Sequence, residues 1–240
     1  KKPKIIIHLA SSTNFNNDKI SENKNQFSNT FLITKNLIDS INRDCNFLIF
    51  FGSIEEYGKI KTPFKETSDV KPFSYYGKYK YLSLKYLEKY TIKNKINYVW
   101  IRPSLTYGQN DNKQRFLGYI FDSLKNNKKI YIKNGNQFRD FLYIDDAINS
   151  IMKCLRNKKS NGHIINICSG LPVKIKIIIN QICKKIKRGQ PIFGKISLRP
   201  DEPLKLYSNY QKAKKILRWK PKTKLSEGLN KTIKFYEKRI

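Results

Sequence analysis

Short apolar runs alternate with segments of helical spacing through the first hundred residues, and this alternation constrains the fold more than any other feature. The apolar runs are Lys4 to Leu9, Phe47 to Phe51 and Tyr98 to Ile101, and the helical segments are Asn29 to Ile41 and Tyr76 to Tyr90. The second run contains no polar residue, which is typical of a parallel strand buried on both faces. The pattern therefore predicts an α/β fold built on a doubly wound parallel sheet.

The predicted elements become shorter after Arg102-Pro103. They are strands at Lys129 to Ile132 and Ile164 to Ile167, and helices at Gln114 to Leu124, Asp145 to Leu155, Val173 to Ile186, Gln211 to Leu217 and Leu225 to Tyr236. A polar stretch, Asn16 to Gln26, is predicted to be a mobile loop. The length of 240 residues suits one large domain or two small interwoven ones.

The formal net charge of +31 raises the question of a nucleic-acid partner. Only nine of the 49 basic residues are arginine, the residue type that dominates base recognition, and the lysines are spread along the whole chain. No basic helix with interleaved aromatic residues is evident. We therefore expect no specific nucleic-acid partner, although a basic cleft would attract a substrate that carries a diphosphate.

No apolar run reaches the roughly 18 residues that a membrane-spanning helix needs. The basic start, Lys1-Lys2-Pro3-Lys4, is followed by too few apolar residues for a signal peptide. We therefore expect a soluble, cytoplasmic protein without a membrane partner. The four cysteines are isolated in sequence and the two histidines lie far apart, so the sequence predicts neither a metal site nor a disulfide framework.

The spacing Tyr76-x-x-x-Lys80 suggests a tyrosine that acts as a base. Residues four apart on a helix share a face, so the lysine ammonium can lie near the phenol. A tyrosine base at neutral pH needs a pKa about three units below its usual value near 10, and a neighbouring positive charge favours that shift. The spacing is weak evidence by itself, because lysine is so common here that Tyr57, Tyr81 and Tyr210 share it.

The surrounding sequence distinguishes Tyr76 from the other three tyrosines. It lies at the start of a predicted helix, behind a loop that carries Pro72 and Ser74, and it follows a buried strand that ends in Ser53. The carboxyl end of a parallel strand is where open α/β sheets bind ligands. Ser53, Tyr76 and Lys80 are therefore the predicted catalytic residues.

Several short motifs occur in order along the chain. They are His8-Leu9-Ala10, Gly52-Ser53 with Tyr57-Gly58, Pro72-x-Ser74-x-Tyr76-Gly77-x-x-Lys80, Arg102-Pro103-x-x-x-Tyr107-Gly108, Arg139-Asp140-Phe141-x-Tyr143-x-Asp145-Asp146, Asn166-Ile167-x-Ser169-Gly170, Arg199-Pro200-Asp201, Lys212-Ala213-Lys214 and Trp219-Lys220-Pro221. In this order and spacing they resemble the extended short-chain dehydrogenase/reductase family of nucleotide-sugar epimerases, dehydratases and reductases.

The resemblance implies a Rossmann-like parallel sheet, N-terminally incomplete, with a smaller interwoven α/β substrate domain. It places the NAD(P)-binding domain at residues 1–103 and about 142–168, and the nucleotide-sugar domain at about 104–141 and 169–240. It implies an NAD(P)-dependent nucleotide-sugar epimerase of the 4-epimerase type, which acts through transient oxidation at a sugar carbon. The implied cofactor is NAD or NADP.

The resemblance also assigns roles to single residues. Tyr76 would remove a proton from a sugar hydroxyl, Ser53 would hydrogen-bond the same oxygen, and Lys80 would hold the nicotinamide ribose and lower the Tyr76 pKa. The implied cofactor-binding residues are Leu9, Ala10, Ser11, Tyr76, Lys80, Arg102 and Pro103, and the implied substrate-binding residues are Ser53, Glu55, Arg139 and Arg199. For Arg139, a structural ion pair with Asp140 is the alternative.

Two features depart from the family pattern. The chain contains no Gly-rich phosphate-binding turn followed about 20 positions later by an acidic residue, so we expect these 240 residues by themselves to bind NAD weakly. Ser53 is followed by Ile54 and Glu55, where the 4,6-dehydratases of the family have an Asp-Glu pair after a Thr. This second departure argues against dehydration.

Two alternatives stay open. One is a reductase of nucleotide-linked 4-keto-6-deoxy sugars, and the other, from a different class, is an inactive fragment or a basic binding protein. The resemblance further implies a homodimer that forms through the helices at Asn29 to Ile41 and Tyr76 to Tyr90. His8 is expected to pack beside the sheet.

Overall fold

The computed structural model describes residues 3–12, 19–42, 44–197 and 202–237. In chain order the elements are β1 (Ile5–His8), α1 (Lys19–Gln26), a π-helical segment (Phe27–Leu32), α2 (Ile33–Asp39), β2 (Phe47–Phe51), α3 (Tyr75–Asn94), β3 (Asn97–Pro103), β4 (Leu105–Tyr107), α4 (Phe116–Lys125), β5 (Lys129–Ile132), β6 (Phe138–Tyr143), α5 (Ile144–Arg156), β7 (His163–Ile167), β8 (Pro172–Lys174), α6 (Ile175–Ile186), β9 (Gln190–Phe193), β10 (Lys205–Leu206), α7 (Gln211–Leu217) and α8 (Leu225–Glu237). Most bounds lie within a few residues of those predicted from hydrophobic spacing.

A four-stranded parallel sheet with the strand order β1-β2-β3-β7 forms the first lobe. Helices α2 and α3 cover one face, where the core side chains are Ile38, Leu48, Phe50, Leu84, Leu87 and Trp100. Helices α5 and α7 cover the other face, where the core side chains are Ile49, Val99, Ile101, Ala147, Ile165, Leu217 and Trp219. Apolar runs that are buried on both faces are characteristic of parallel strands, and the predicted parallel α/β sheet is confirmed.

The second lobe contains β6, which pairs with β4 and β10 in parallel and with β8 in antiparallel orientation, and a separate parallel pair of β5 with β9. Helices α4, α6 and α8 contribute to its core, which includes Leu117, Ile120, Phe121, Ile178, Ile179, Ile182, Leu229 and Ile233. The two lobes thus contain separate sheets, and the division into two interwoven domains stays a prediction.

One buried carboxylate lies where the chain passes between the lobes. Ser104 alone separates β3 from β4, and its hydroxyl donates to Asp140 Oδ1 at 3.1 Å. Ser169 and Gly170, which lie between β7 and β8, donate their backbone N–H groups to the two oxygens of Asp140 at 2.9 and 2.8 Å. Burial raises the pKa of Asp140, and these three donors oppose that rise. The side chain of Asp140 therefore holds together two of the chain segments that pass from one lobe to the other.

Residues Lys19–Gln26 form helix α1, which corrects the prediction of a mobile loop there; residues 13–18 lie outside the described residues. The helix has no apolar stripe, but Glu22 and Gln26 are buried, and the hydroxyl of Tyr79 on α3 donates to Asn23 at 2.7 Å. A helix held by polar contacts with a distant element gives no periodic signal in its own sequence.

Within the part of the chain that the structure describes, no helix is long and apolar enough to cross a membrane. The same residues include no group of three or more His, Cys, Asp or Glu side chains that could hold a metal ion.

Candidate active site

The start of helix α3 is fixed by a serine cap and a glycine contact. The Ser74 hydroxyl accepts a hydrogen bond from Gly77 N at 3.0 Å and donates one to Glu55 Oε2 at 2.6 Å. A Cβ atom at Gly77 would lie 2.6 Å from the backbone oxygen of Glu55, so only glycine allows this close approach. These contacts place Tyr76 in the first turn of α3, directly beside the segment that follows β2.

Ser53 lies just after β2 and begins a short 3-10 helix, Ile54–Glu56. Its hydroxyl accepts from Glu55 N at 3.1 Å, and its backbone N–H donates to Glu56 Oε1 at 2.8 Å. This arrangement is a capping box, in which the cap residue and the third helical residue exchange hydrogen bonds. The hydroxyl is fixed as an acceptor, and its own proton is available to donate to a ligand.

Lys80 is buried one turn further along α3 than Tyr76. Its Nζ atom donates to the backbone oxygen of Phe51, the last residue of β2, at 2.7 Å, and lies 5.7 Å from the centroid of the Tyr76 ring. Burial lowers the pKa of Lys80 to about 8, although the nearby Glu56 carboxylate opposes the shift. The structure therefore brings Lys80 and Tyr76 together at the carboxyl end of β2.

The pKa of Tyr76 is raised, which differs from the lowering that the sequence led us to expect. Burial of the phenol is the main cause, and the negative charge of Glu55 adds to it. A hydrogen bond with Ser11 and the positive charge of Arg115 act in the opposite direction. The Lys80 ammonium donates to the backbone oxygen of Phe51 and lies 5.7 Å from the centroid of the Tyr76 ring.

Arg102 forms a buried ion pair. Its Nε and Nη2 atoms each lie 2.8 Å from Glu56 Oε2, and only 1% of its side chain is exposed. Glu56 Oε1 accepts from Ser53 N and, at 3.0 Å, from the indole N–H of Trp100. Through Glu56 this ion pair supports the backbone of Ser53, and the cofactor contact of Arg102 that the resemblance implies stays a prediction. Pro103, at the end of β3, is half-buried.

The carboxyl end of β1 leads toward the same place. Leu9 and Ala10 are exposed, and Ser11, which is half-buried, forms a hydrogen bond with the Tyr76 hydroxyl. The ends of β1 and β2 therefore meet at Tyr76, as expected for neighbouring parallel strands.

His8 packs against the sheet, as expected. It is buried, its ring centroid lies 5.0 Å from that of Phe50, and its Nε2 atom is 3.0 Å from the Thr34 hydroxyl. Burial lowers the pKa of His8 to about 4, and the positive charge of Lys80 contributes to this shift. His8 is thus neutral at physiological pH and fills space beside Lys80.

Arg139 does not pair with Asp140, so that alternative is wrong. Consecutive residues of β6 point to opposite faces of the sheet, and Arg139 Nη2 instead lies 2.8 Å from Glu202 Oε1. The other oxygen of Glu202 contacts Lys133. The predicted substrate contact of Arg139 stays a prediction, and Arg199 lies outside the described residues.

Sequence analysis missed Arg115, which precedes α4. Its Nη2 atom donates to the backbone oxygen of Thr106 at 2.9 Å, and its Nε atom lies 3.5 Å from a carboxylate oxygen of Asp111. Its charge acts on Tyr76, so it faces the site from the second lobe. The sequence signal that could have pointed to Arg115 is its place between the Tyr107-Gly108 loop and an apolar helix.

The model of the NAD dependent epimerase/dehydratase family matches residues 1–168 of this chain. A candidate UDP-glucose 4-epimerase of Methanocaldococcus jannaschii is 29% identical over 241 residues, which cover 97% of this chain and 77% of that protein. The CDP-abequose synthase of Salmonella muenchen is 24% identical over 212 residues, which cover 80% of this chain and 70% of that protein.

Among solved structures, the UDP-glucose 4-epimerase of Thermotoga maritima with UDP-glucose has a similar fold. Its TM-score is 0.88 at 22% sequence identity, and the match covers 99% of this chain and 78% of that one. At this identity the likeness establishes the fold alone.

Proposed function

The chain belongs to the NAD dependent epimerase/dehydratase family, and on that premise we propose that it is a nucleotide-sugar 4-epimerase that acts through transient oxidation at a sugar carbon. The observation that carries the proposal is the convergence of Ser53, Tyr76 and Lys80 at the carboxyl end of β2. Similarity to a candidate UDP-glucose 4-epimerase supports the choice of reaction.

The residues present suit the part of an NAD site that surrounds the reacting carbon. The segment that follows β1 next to Tyr76 consists of Leu9, Ala10 and Ser11. The ammonium of Lys80 lies near the ring of the same tyrosine. The diphosphate of a dinucleotide is usually held by a Gly-rich turn, and no two of the 11 glycines here have the Gly-x-Gly spacing of that turn. We therefore expect weak NAD binding by these 240 residues, and a calorimetric Kd in the low micromolar range would contradict this.

The protein's own residues can perform the proton transfer. Tyr76, once deprotonated, takes the proton of the sugar hydroxyl, while the Ser53 hydroxyl donates a hydrogen bond to the same oxygen. A bound NAD would supply the hydride acceptor for the same carbon, and its positive charge would favour the phenolate of Tyr76. The ammonium of Lys80, near the ring of Tyr76, contributes a further positive charge. Epimerisation then requires the keto sugar to turn in the site, so that the hydride would return from the reduced cofactor to the other face of the same carbon while Tyr76 returns the proton to the oxygen.

Reduction of a nucleotide-linked 4-keto-6-deoxy sugar is the second candidate, because the chain is also similar to a CDP-abequose synthase. This reaction uses the same tyrosine only as a proton donor, with hydride from an external cofactor. Glu55 and Glu56 after Ser53 do not separate the two reactions.

The two reactions differ in their use of cofactor. We expect the purified protein, with NAD in excess, to interconvert UDP-glucose and UDP-galactose without net formation of NADH. Stoichiometric oxidation of NADPH by a nucleotide-linked 4-keto sugar would instead establish the reductase. If neither reaction occurred, the proposal would fail in favour of a fragment without activity or a basic binding protein.

A further inference from the structure

A basic groove runs between the ends of helices α5 and α7 in the first lobe. Its volume of about 530 Å³ lies within the range of roughly 300 to 1,000 Å³ that is usual for sites of small molecules. Of the described residues that line it, five are basic, and none is acidic or aromatic. The basic residues are Lys153 and Arg156 on α5, Lys159 in the segment that follows, Lys215 on α7, and Arg218 directly after it.

The groove and the candidate active site lie at opposite edges of the parallel sheet. Helix α5 ends at Arg156, and residues 157–162 lead from there into the amino end of β7. The Gly162 N–H donates to Tyr98 O at 2.8 Å, near the start of the neighbouring strand β3. Ser53, in contrast, follows the carboxyl end of β2. A ligand in the groove would therefore be separated from the catalytic residues by the length of a strand.

Hydrogen bonds between the two helices hold the groove in shape. Lys153 Nζ donates to Arg218 O at 3.0 Å, and Asn157 Nδ2 donates to Ile216 O at 2.6 Å. The side-chain oxygen of Asn157 also accepts from Lys159 N at 3.0 Å, which fixes the backbone that carries the next basic side chain. The walls of the groove are thus joined to each other without a ligand.

The positive charge of the groove exceeds what the two helices need. The carboxyl end of a helix carries about half a negative charge, so one positive charge offsets the ends of α5 and α7 together. Five basic side chains line the groove, and about four positive charges therefore remain without compensation from the helices. Such a surplus attracts an anion with several charges.

The lack of acidic residues around the groove is local. No Asp or Glu occurs from Ala147 to Pro200 or from Pro203 to Ser226, and these two stretches contain every basic residue of the groove. An even distribution of the 18 acidic residues over the chain would place about six of them there. The general excess of lysine in this protein therefore does not account for the groove.

We propose that the groove binds a small molecule that carries a chain of two or three phosphate groups, as nucleoside diphosphates and triphosphates do. Arg156 and Arg218 can each bind a phosphate through two N–H groups, and the lysines add point charges. Met152, which is 40% exposed, and the half-buried Ile216 offer an apolar wall to the organic part of the ligand. The proposal rests on the groove and does not depend on the proposed reaction.

Single-stranded nucleic acid is a less suitable occupant. Proteins that bind it without sequence preference stack its bases on aromatic side chains. The described lining of the groove offers no such surface. Nucleic acid therefore enters the test as an outcome that would contradict the proposal.

Calorimetric titration with inorganic triphosphate and with ATP tests the proposal, in about 0.15 M salt to screen weak attraction. We expect saturable binding that the double variant Arg156→Gln with Lys215→Gln weakens about tenfold or more, because two charged hydrogen-bond donors are lost. Lys185→Gln with Arg188→Gln is the matched control, since it removes the same two kinds of charge from the end of α6. Binding by the control variant should stay within about twofold of the parent protein.

Both double variants replace exposed side chains, so we expect their unfolding temperatures to match that of the parent protein. If the groove variant is less stable, Lys159→Gln with Arg218→Gly takes its place, because glycine readily adopts the φ of 49° at position 218. Tighter binding of ATP than of triphosphate would show that the nucleoside contacts the apolar wall. Equal affinity would show that the phosphate chain alone is recognised.

Three results would overturn the proposal. One is a titration without saturable binding, and another is equal weakening in the groove variant and the α6 control, which would show only a general attraction to a basic protein. The third is an oligoribonucleotide that binds more tightly than ATP and is weakened by the groove variant alone.

Discussion

Tyr76 lies between an acidic and a basic side chain, whose opposing charges influence the pH at which it can lose its proton. Glu55 belongs to the segment after β2 and raises the pKa, whereas Arg115 belongs to the second lobe and lowers it. Burial raises the pKa further. Because the base must be deprotonated to act, activity should increase as the pH rises through the pKa of Tyr76.

Replacing Tyr76 removes the proposed base. We expect Tyr76→Phe to lower turnover by about 10²- to 10⁴-fold, the usual contribution of a general acid or base, with little change in thermal stability. Tyr81→Phe is the matched control, because Tyr81 is on the same helix with Lys85 at the same spacing and 5.4 Å from its ring. Equal turnover in the two variants would remove Tyr76 from the mechanism.

The charges around Tyr76 predict shifts of the pH profile in opposite directions. Glu55→Gln keeps an acceptor for Ser74 but removes the negative charge, so the rising limb of kcat/KM should move to lower pH. Arg115→Gln removes the positive charge, so the limb should move to higher pH. Profiles that move together, or not at all, would show that these charges do not act on the titrating group.

At the scale of elements, β3 and the segment that follows β2 are joined through Glu56. The two oxygens of this residue together accept hydrogen bonds from Ser53, Trp100 and Arg102. The pair with Arg102 is removed from water, and loss of one partner leaves an uncompensated charge in the interior. The position of Ser53 therefore depends on the ion pair between Glu56 and Arg102, which are 46 residues apart in sequence.

Breaking the ion pair between Glu56 and Arg102 should make the folded protein less stable. We expect Glu56→Gln to lower the free energy of unfolding by about 3 to 5 kcal/mol in urea denaturation. Glu227→Gln is the control, because its pair with Lys231 on α8 is half exposed and should have no measurable effect. Similar stability of the two variants would mean that the buried pair contributes little.

Much of the element pattern could be predicted from sequence, since β2 and β3 are apolar runs and α3 has regular spacing. The places of Tyr76 at the start of a helix and of Ser53 after a strand could be predicted, and their catalytic roles stay predictions. Helix α1 was missed because its buried residues, Glu22 and Gln26, are polar. The ion pair of Arg102 could not be predicted, because its partner Glu56 lies on another element and such pairings leave no local periodicity.

At the scale of the whole molecule, an apolar surface on the helical side of the first lobe suits a second copy of the chain. Phe27, Ile33 and Leu82, from the π-helical segment, α2 and α3, are each about two-fifths exposed. Exposed apolar side chains on neighbouring elements are the kind of surface on which proteins associate. It involves the helices through which the sequence implies a homodimer.

A charge on this surface should prevent dimer formation. We expect the protein to sediment as a dimer and Leu82→Asp to sediment as a monomer with unchanged secondary structure. Ile92→Asp is the control, since Ile92 lies near the end of the same helix and is 79% exposed. A parent protein that sediments as a monomer at high concentration would contradict the homodimer.

The hydrogen bonds of Asp140 influence how the two lobes can move relative to each other. The carboxylate tethers the single residue between β3 and β4 and also the residues between β7 and β8. Because two of the passages between the lobes are held at this carboxylate, we expect a swing of one lobe relative to the other to pivot near it. Opening to admit a substrate would then move the chain least around Ser104 and most in the parts of the second lobe farthest from it.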